Sequence, residues 1–181
     1  MALKAAIHKL QLQVADMDRH HYAEHALTVA RHPSETDERM MVRVLAFALN
    51  ADEAMMFGRG VSTADEPDLW QHSLNGEIAH WIQLGQPDVR DLRRACGRAR
   101  QVTVITYSGH SAALWWEQVA DKCTALANLT VVDIPVEAVK ALATLAARNM
   151  ALNALVQEGS VWLSDAATTV TVAPLVRHSP H

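Results

Sequence analysis

The residues of this chain best placed to do chemistry are an aspartate and a glutamine on either side of an Asn-Gly pair. Asn75-Gly76 lies within EPDLWQHSLNGEIAHWIQLGQ and tolerates the positive φ angles of a type I′ turn, so it predicts a β-hairpin with a two-residue loop. Such a loop places Trp70 opposite Trp81 and Asp68 opposite Gln83. Opposed side chains share a face, with Cβ atoms about 5 Å apart. The register therefore predicts that two oxygen-bearing groups converge, as a hard cation such as Mg²⁺ requires.

A second interpretation of the same aspartate needs no metal. Glu66-Pro67-Asp68 is a good turn tripeptide, and aspartate before a strand is commonly part of a turn. The residues of the hairpin alone leave both interpretations open.

A third acidic residue lies on the first confident helix. His32-Pro33 ends the preceding run, Ser34 is a candidate N-cap, and apolar residues continue through Leu49. Glu38 precedes two of these apolar residues by four and seven positions, which places it on the buried stripe, where a carboxylate needs a partner or a metal. Alternatively, Glu38 lies at the edge of the stripe and pairs with Arg39 or Arg43 in solvent.

A basic segment follows the hairpin. RDLRRACGRAR, from Arg90 to Arg100, holds five of the 16 basic residues and one acid, although the whole chain has a net charge of −4. Pro87 near its start predicts a helix of two to three turns, on which Arg90, Arg94 and Arg98 form one ridge. A basic patch on an acidic body is compatible with a phosphate partner, and a solvated helix face is the alternative.

Composition sets the broad class. A length of 181 residues, half of them hydrophobic, fits a single domain over residues 1–181. No apolar run approaches the roughly 20 residues of a membrane span, and we see no secretory signal, so a cytoplasmic protein without membrane contact is expected. The isolated Cys96 and Cys123 suit reduced thiols. The chain has no glycine-rich phosphate loop, HExxH or paired CxxC, which argues against nucleotide-fold and zinc-hydrolase functions.

Hydrophobic patterns predict the remaining elements. Alternation favours an N-terminal β-hairpin, and a strand, helix, strand, helix, strand order from Val102 onward indicates an α/β core with parallel pairing. A polar loop is expected from Ser62 to Glu66, and the tail after Pro174 is expected to be loose. The other predicted segments are a hairpin of Leu3 to Val14 with Tyr22 to Ala30, strands at Ala54 to Phe57, Val102 to Thr106 and Thr130 to Asp133, helices at Ser111 to Ala127 and Val136 to Met150, and strands at Leu152 to Gln157, Val161 to Leu163 and Thr168 to Val172.

Several of these segments resemble one bacterial family. ARHPSETDERMMVRVLAFALNADE at 30–53, then EPDLWQ, WIQLGQPD, TYS and ALWWEQ, resemble the YaeQ family nearly from end to end. The resemblance implies a variant of the PD-(D/E)XK nuclease fold. That fold is a mixed α/β, restriction-endonuclease-like core with a central β-sheet flanked by helices, here with an N-terminal β-hairpin.

The resemblance also implies a site. Glu38, or Glu35, corresponds to the helix acid of the superfamily, Pro67-Asp68 to its PD pair, and Gln83 to the acid of the following strand. These residues would hold Mg²⁺ or Mn²⁺, which polarises a phosphodiester and activates water. Glu38, Asp68 and Gln83 are then the expected catalytic residues, and the same three with Glu35 are the expected metal ligands.

The chain departs from that pattern at two positions. Gln83 stands where an acid is usual and contributes no charge to a cation, and Gly85 stands where the motif has lysine. Arg90, Arg93 and Arg94 are the nearest cations in sequence, and arginine stabilises phosphate charge but transfers protons poorly. Two functions follow as expectations: a metal-dependent phosphodiester hydrolase acting on DNA or RNA, and a non-catalytic relative that binds nucleic acid or protein.

Overall fold

The computed structural model describes residues 4–59 and 65–180, so most of the loop expected from Ser62 to Glu66 lies outside the described residues. Four helices and eleven strands follow one another along the chain. They are β1 Ala6–Asp16, β2 His21–Arg31, α1 Asp37–Leu49, β3 Met55–Phe57, β4 Leu69–His72, β5 Ile78–Leu84, α2 Val89–Arg98, β6 Ala99–Thr106, α3 His110–Cys123, β7 Leu129–Asp133, α4 Val136–Ala143, β8 Asn149–Gln157, β9 Ser160–Ser164, β10 Thr169–Val172 and β11 Leu175–His178.

The strands form two mixed sheets. One has six strands in the order β11-β7-β6-β5-β4-β3, and the other has five in the order β10-β9-β8-β1-β2. The prediction of an N-terminal hairpin is confirmed, because β1 and β2 pair antiparallel along their whole length. A mixed sheet flanked by helices is present as expected, but the expectation did not include the second sheet. Strand β8 pairs parallel with β1, so the C-terminal strands join the N-terminal hairpin in a sheet of their own.

Parallel pairing is confirmed for the middle of the chain. Strand β5 pairs parallel with β6, and β6 pairs parallel with β7, with α2 and α3 as the crossover helices. The next crossover does not continue the pattern. Helix α4 leads from β7 into β8, which belongs to the other sheet.

The hairpin around Asn75-Gly76 has a different loop from the predicted one. Ser73 accepts a hydrogen bond from Gly76 at 2.9 Å and donates one to Glu77 at 2.8 Å, so the loop holds three residues and Gly76 has φ +85°. A register shift follows between Gln71 and His72. The loop and the shift compensate, and Trp70 still lies opposite Trp81 as predicted.

Helix α1 is the centre of the larger core. Its residues from Met40 to Ala48 are all buried, which is the pattern of a helix enclosed on every side. Its apolar side chains join one core cluster with residues of both sheets and of α4. A second cluster lies on the other face of the six-stranded sheet, where Trp81, Val102 and Val104 pack with Leu92 of α2 and Trp115 of α3.

The chain after β7 differs from prediction in two places. Helix α4 ends at Ala143 and not at Met150, because Met150 is already part of β8. The tail after Pro174 is not loose, since β11 pairs antiparallel with β7 from Leu175 onward. Within the described part of the chain, no helix is long and apolar enough to cross a membrane. Cys96 and Cys123 are free thiols, as the sequence predicted.

Candidate functional site

The acidic residue that enters the site comes from just before α1. Thr36, and not Ser34 as predicted, is the N-cap, and its hydroxyl accepts from the Arg39 amide at 3.1 Å. The side chain of Glu35 turns back towards the core and is 2% exposed, whereas Glu38 is exposed to solvent. Of the two positions considered for Glu38, the buried one is wrong and the solvent-exposed one is right, although Arg39 and Arg43 pair with Glu35. Glu35 lies one residue before the cap, at the end of a turn in which its amide donates to the His32 carbonyl at 2.8 Å, and its side chain reaches a place that the first-turn Glu38 side chain does not.

Arg43 holds Glu35 in that place. Its Nε and one terminal nitrogen each donate to a different carboxylate oxygen at 2.8 Å, which makes the pair bidentate. The same terminal nitrogen donates to the Ala30 carbonyl at 2.8 Å. The Arg43 side chain is 4% exposed. A buried ion pair is tolerated when the two charges are joined by two hydrogen bonds, whereas either charge alone would be costly.

Arg39 connects Glu35 to Asp68. One terminal nitrogen donates to Glu35 at 3.3 Å and the other donates to Asp68 Oδ1 at 2.7 Å. The Asp68 side chain is 10% exposed, and its Oδ2 accepts from the Leu84 amide at 2.7 Å. The three charged groups thus link the start of α1, the start of β4 and the end of β5.

Two glycines shape the backbone around Asp68. Gly58 donates its amide to the Asp68 carbonyl at 2.8 Å, and a side chain at Gly58 would collide with the Pro67 carbonyl. Gly85 follows Leu84 with φ +104°, a conformation that L side chains rarely adopt. This conformation favours glycine at position 85.

Tyr107, just after β6, lies beside the same arginine. Burial raises the pKa of the Tyr107 hydroxyl, and the charge and hydrogen bond of Arg39 partly offset that rise. Burial acts to lower the pKa of Arg39, but the Asp68 carboxylate outweighs it, so the pKa rises and the guanidinium stays charged. Two carboxylates and two guanidiniums form the centre of the site, and their formal charges balance.

Gln83 does not converge with Asp68. Its Oε1 accepts from the Trp81 indole at 3.3 Å, and Trp81 packs in the core cluster beneath α2. Asp68 binds Arg39 of α1, on the other side of the sheet. Asp68 also precedes β4, whose ladder with β5 begins at Leu69. The structure therefore brings Asp68 to Glu35 and leaves Gln83 and Glu38 apart from them.

The predicted basic helix is present and its arginines face solvent. Arg90, Arg93 and Arg94 are all exposed on α2, while Leu92 and Ala95 are buried against the sheet. Arg90 and Arg93 form no ion pair with any residue in 4–59 or 65–180. The chemistry of this face is that of exposed guanidiniums, which suit phosphate oxygens.

Sequence reasoning missed the role of Arg39, which it considered only as a surface partner of Glu38. The available signal was the spacing of four between Glu35 and Arg39, which brings side chains together in the first turn of a helix. No local pattern pointed to Asp68 as the second partner. That contact depends on how β4 packs against α1.

Glu35, Arg39, Arg43 and Asp68 form an ion-pair cluster in which every carboxylate oxygen accepts a hydrogen bond. Both oxygens of Asp68 and both of Glu35 accept hydrogen bonds. Among the residues that the structure describes, no three histidine, cysteine or acidic side chains are grouped so as to hold a metal ion. The expected ligand set for Mg²⁺ or Mn²⁺ does not fit this arrangement unless Arg39 leaves Asp68.

Two mixed sheets about one buried helix, with an arginine between two acids at the start of that helix, define a mixed α/β protein with a charged cluster at its centre. The chain belongs to the YaeQ family. The family model, described as YaeQ protein, matches residues 1–174. It is 44% identical over 172 residues to YaeQ of Salmonella typhi, covering 95% of each chain. It is 45% identical over 165 residues to YaeQ of Escherichia coli strain K12, covering 91% of each.

Two crystal structures share this fold. The YaeQ protein from Xanthomonas axonopodis pv. citri superposes with a TM-score of 0.95 at 45% identity, covering 97% of this chain and 99% of that one. The YaeQ protein from Pseudomonas syringae superposes with a TM-score of 0.92 at 33% identity, covering 97% of each chain.

Proposed function

We propose that this protein is a non-cleaving relative of the PD-(D/E)XK nucleases that binds the phosphate backbone of nucleic acid through α2. The observation that carries the proposal is the exposed arginine face of that helix. Arg90, Arg93 and Arg94 project from one short helix of a chain whose net charge is −4, so the basic charge is concentrated locally. A local patch of this kind makes sequence-independent phosphate contacts.

The charged cluster supports a binding role over a cleaving one. In a divalent-metal site, Asp68 would present an oxygen to the cation, but its two oxygens bind Arg39 and the Leu84 amide. Gln83 supplies no charge, and it bonds with Trp81 on the other face of the sheet. Gly85 has a backbone conformation unsuited to the motif lysine. In this proposal the former catalytic centre stabilises the fold.

The binding proposal is tested with fluorescently labelled single- and double-stranded DNA and RNA of mixed sequence. Anisotropy at several salt concentrations gives the affinity and its salt slope. Each lost phosphate contact reduces the slope by about one, so R90Q/R94Q is expected to weaken binding and reduce the slope by about two. R100Q is the matched control, because Arg100 is an exposed arginine outside α2 that pairs with Glu77. If R90Q/R94Q retains the wild-type affinity and slope, the proposal fails.

Metal-dependent hydrolysis is the second candidate, favoured by one observation. Glu35 and Asp68 share the single Arg39 side chain, which is 19% exposed, so its departure would leave two carboxylates facing each other. Calorimetric titration of Mg²⁺ and Mn²⁺ into wild type and D68A tests this candidate without a substrate. Saturable binding lost in D68A, together with metal-dependent cleavage of the labelled strands, would replace the non-cleaving proposal. If D68A binds nucleic acid as wild type does, and neither protein cleaves it, the result supports the non-cleaving proposal.

A further inference from the structure

Two histidines on β2 point their rings at each other. His21 and His25 are four residues apart in a strand, a separation of about 13 Å between their Cα atoms. Their Nε2 atoms are nevertheless only 3.0 Å apart. The ring planes differ by 16° and the ring centres are 5.3 Å apart, so the rings meet edge to edge. Ala23 lies between them on the same face, and its small side chain leaves the space that both rings cross.

The surroundings hold this pair in place. His25 is 8% exposed, and its ring packs edge-on against Phe47 of α1 with centres 5.1 Å apart. His21 is partly exposed at the start of β2. One ring is thus fixed by the core, and the other lies at the protein surface. An ion arriving from solvent would reach both Nε2 atoms from the His21 side.

The contact itself requires a neutral imidazole. One Nε2 must donate a proton and the other must accept it, because two protonated rings would repel each other. Burial, and then the neighbouring His21, lower the pKa of His25, which agrees with a neutral ring. Neutral imidazole nitrogen is the commonest metal ligand in proteins.

Nearby charge also favours a cation. The negative charges of Glu53 and Asp52, in the loop between α1 and β3, act to raise the pKa of His25 and partly offset the effects of burial and of His21. Asp52 is partly exposed and Glu53 is exposed, so solvent reaches both side chains. They are outside hydrogen-bond contact with the rings and would complete the coordination through water.

We propose that His21 and His25 form a surface site for a borderline transition-metal ion, Zn²⁺, Ni²⁺ or Cu²⁺, with two nitrogen ligands from the protein and water in the other positions. A tetrahedral ion with bonds of about 2.0–2.1 Å sets its nitrogen ligands roughly 3.4 Å apart, so the rings need only separate slightly and tilt. Imidazole ligands select these ions over Mg²⁺. The site is separate from the charged cluster of Glu35, Arg39, Arg43 and Asp68. The proposal of this metal site does not depend on the proposed function.

The test titrates Zn²⁺ and Ni²⁺ into metal-free full-length protein by calorimetry, with Mg²⁺ as the comparison ion. Wild type is expected to bind one Zn²⁺ per chain that H21A and H25Q bind at least about tenfold more weakly. H20N and H110A are the controls, since each removes an exposed histidine outside the pair and asparagine accepts the φ of +55° at position 20. Both controls are expected to bind Zn²⁺ within twofold of wild type.

Folding and assignment are checked separately. Circular dichroism confirms that each variant is folded, and H21A decides the test if H25Q is not, because His21 is the more exposed ring. In wild type, Zn²⁺ is expected to shift the NMR signals of the His21 and His25 rings before those of the other histidines. Absence of Zn²⁺ binding in wild type, unchanged binding in H21A, or equal loss in H20N would each overturn the proposal.

Discussion

Replacing Arg39 by methionine tests whether the charged cluster stabilises the fold. Methionine keeps an unbranched apolar stem and removes the guanidinium. Asp68 then loses its 2.7 Å bond and keeps only the Leu84 amide, on a side chain that is 10% exposed. Glu35 loses only a 3.3 Å contact and keeps its bidentate pair with Arg43.

The magnitude follows from these contacts. Removing one partner of a fully buried ion pair costs about 3–5 kcal/mol, and a hydrogen bond to a charged group is worth roughly 1.5–3 kcal/mol. Arg39 is 19% exposed and Asp68 keeps one donor, so the lower end applies. R39M is therefore expected to lower the free energy of unfolding by about 3 kcal/mol.

The assay is urea unfolding at pH 7 of wild type, R39M, D68N and the double variant. Because Arg39 and Asp68 are in direct contact, the double variant is expected to be more stable than the sum of the single changes predicts, by at least about 1 kcal/mol. R94M is the matched control, since Arg94 is 48% exposed and its 3.4 Å pair with Asp91 is worth less than about 1 kcal/mol. Equal stability of R39M and R94M, or a coupling near zero, would refute the reasoning.

Four further substitutions have definite expected outcomes. Burial, and then the charge of Arg19, lower the pKa of His80 from 6.5 to about 4. As the pH falls, the unfolded chain therefore binds a proton at this histidine before the folded chain does. The free energy of unfolding decreases by up to about 3 kcal/mol between pH 6.5 and 4. In urea unfolding across that range, H80Q should show a shallower decrease than wild type. G85A should lower the free energy of unfolding by about 1 kcal/mol because position 85 has a positive φ. G97A, in the last turn of α2 with open space around it, should raise it by roughly 0.5 kcal/mol. Equal effects of the two changes in thermal melts would contradict this. G58A should destabilise more than G85A does, because its methyl group meets the Pro67 carbonyl, and a melting temperature near that of wild type would show that the loop yields.

Much of the local structure could be predicted from short patterns in the chain. The N-terminal hairpin, α1, α2 and the buried strand β6 follow from alternation, capping and turn residues close in sequence. The pairing of Trp70 with Trp81 is also as predicted, but it holds because the three-residue loop and the register shift compensate. Local signals work here because neighbouring residues decide whether a segment buries one face or all of its faces. The exposed arginine ridge of α2 belongs to the same class of prediction.

The two-sheet arrangement could not be predicted in this way. Strand β8 pairs with β1, so Leu12 lies beside Leu152 across most of the chain length. Nothing in either strand specifies so distant a partner. The predicted end of α4 was wrong for the same reason. Met150 and the residues after it belong to β8, whose pairing with β1 is not visible in the local sequence.

The composition of the candidate site also depended on tertiary structure. The sequence determined that acids and arginines gather at the start of α1 and that Asp68 begins the hairpin. Packing decided that Glu35 enters the core while Glu38 stays in solvent, and that Arg39 binds Asp68. It also decided that Gln83 bonds with Trp81 on the opposite face of the sheet. Charged groups are buried only with a partner in reach, and which partner is in reach depends on elements that are distant in sequence.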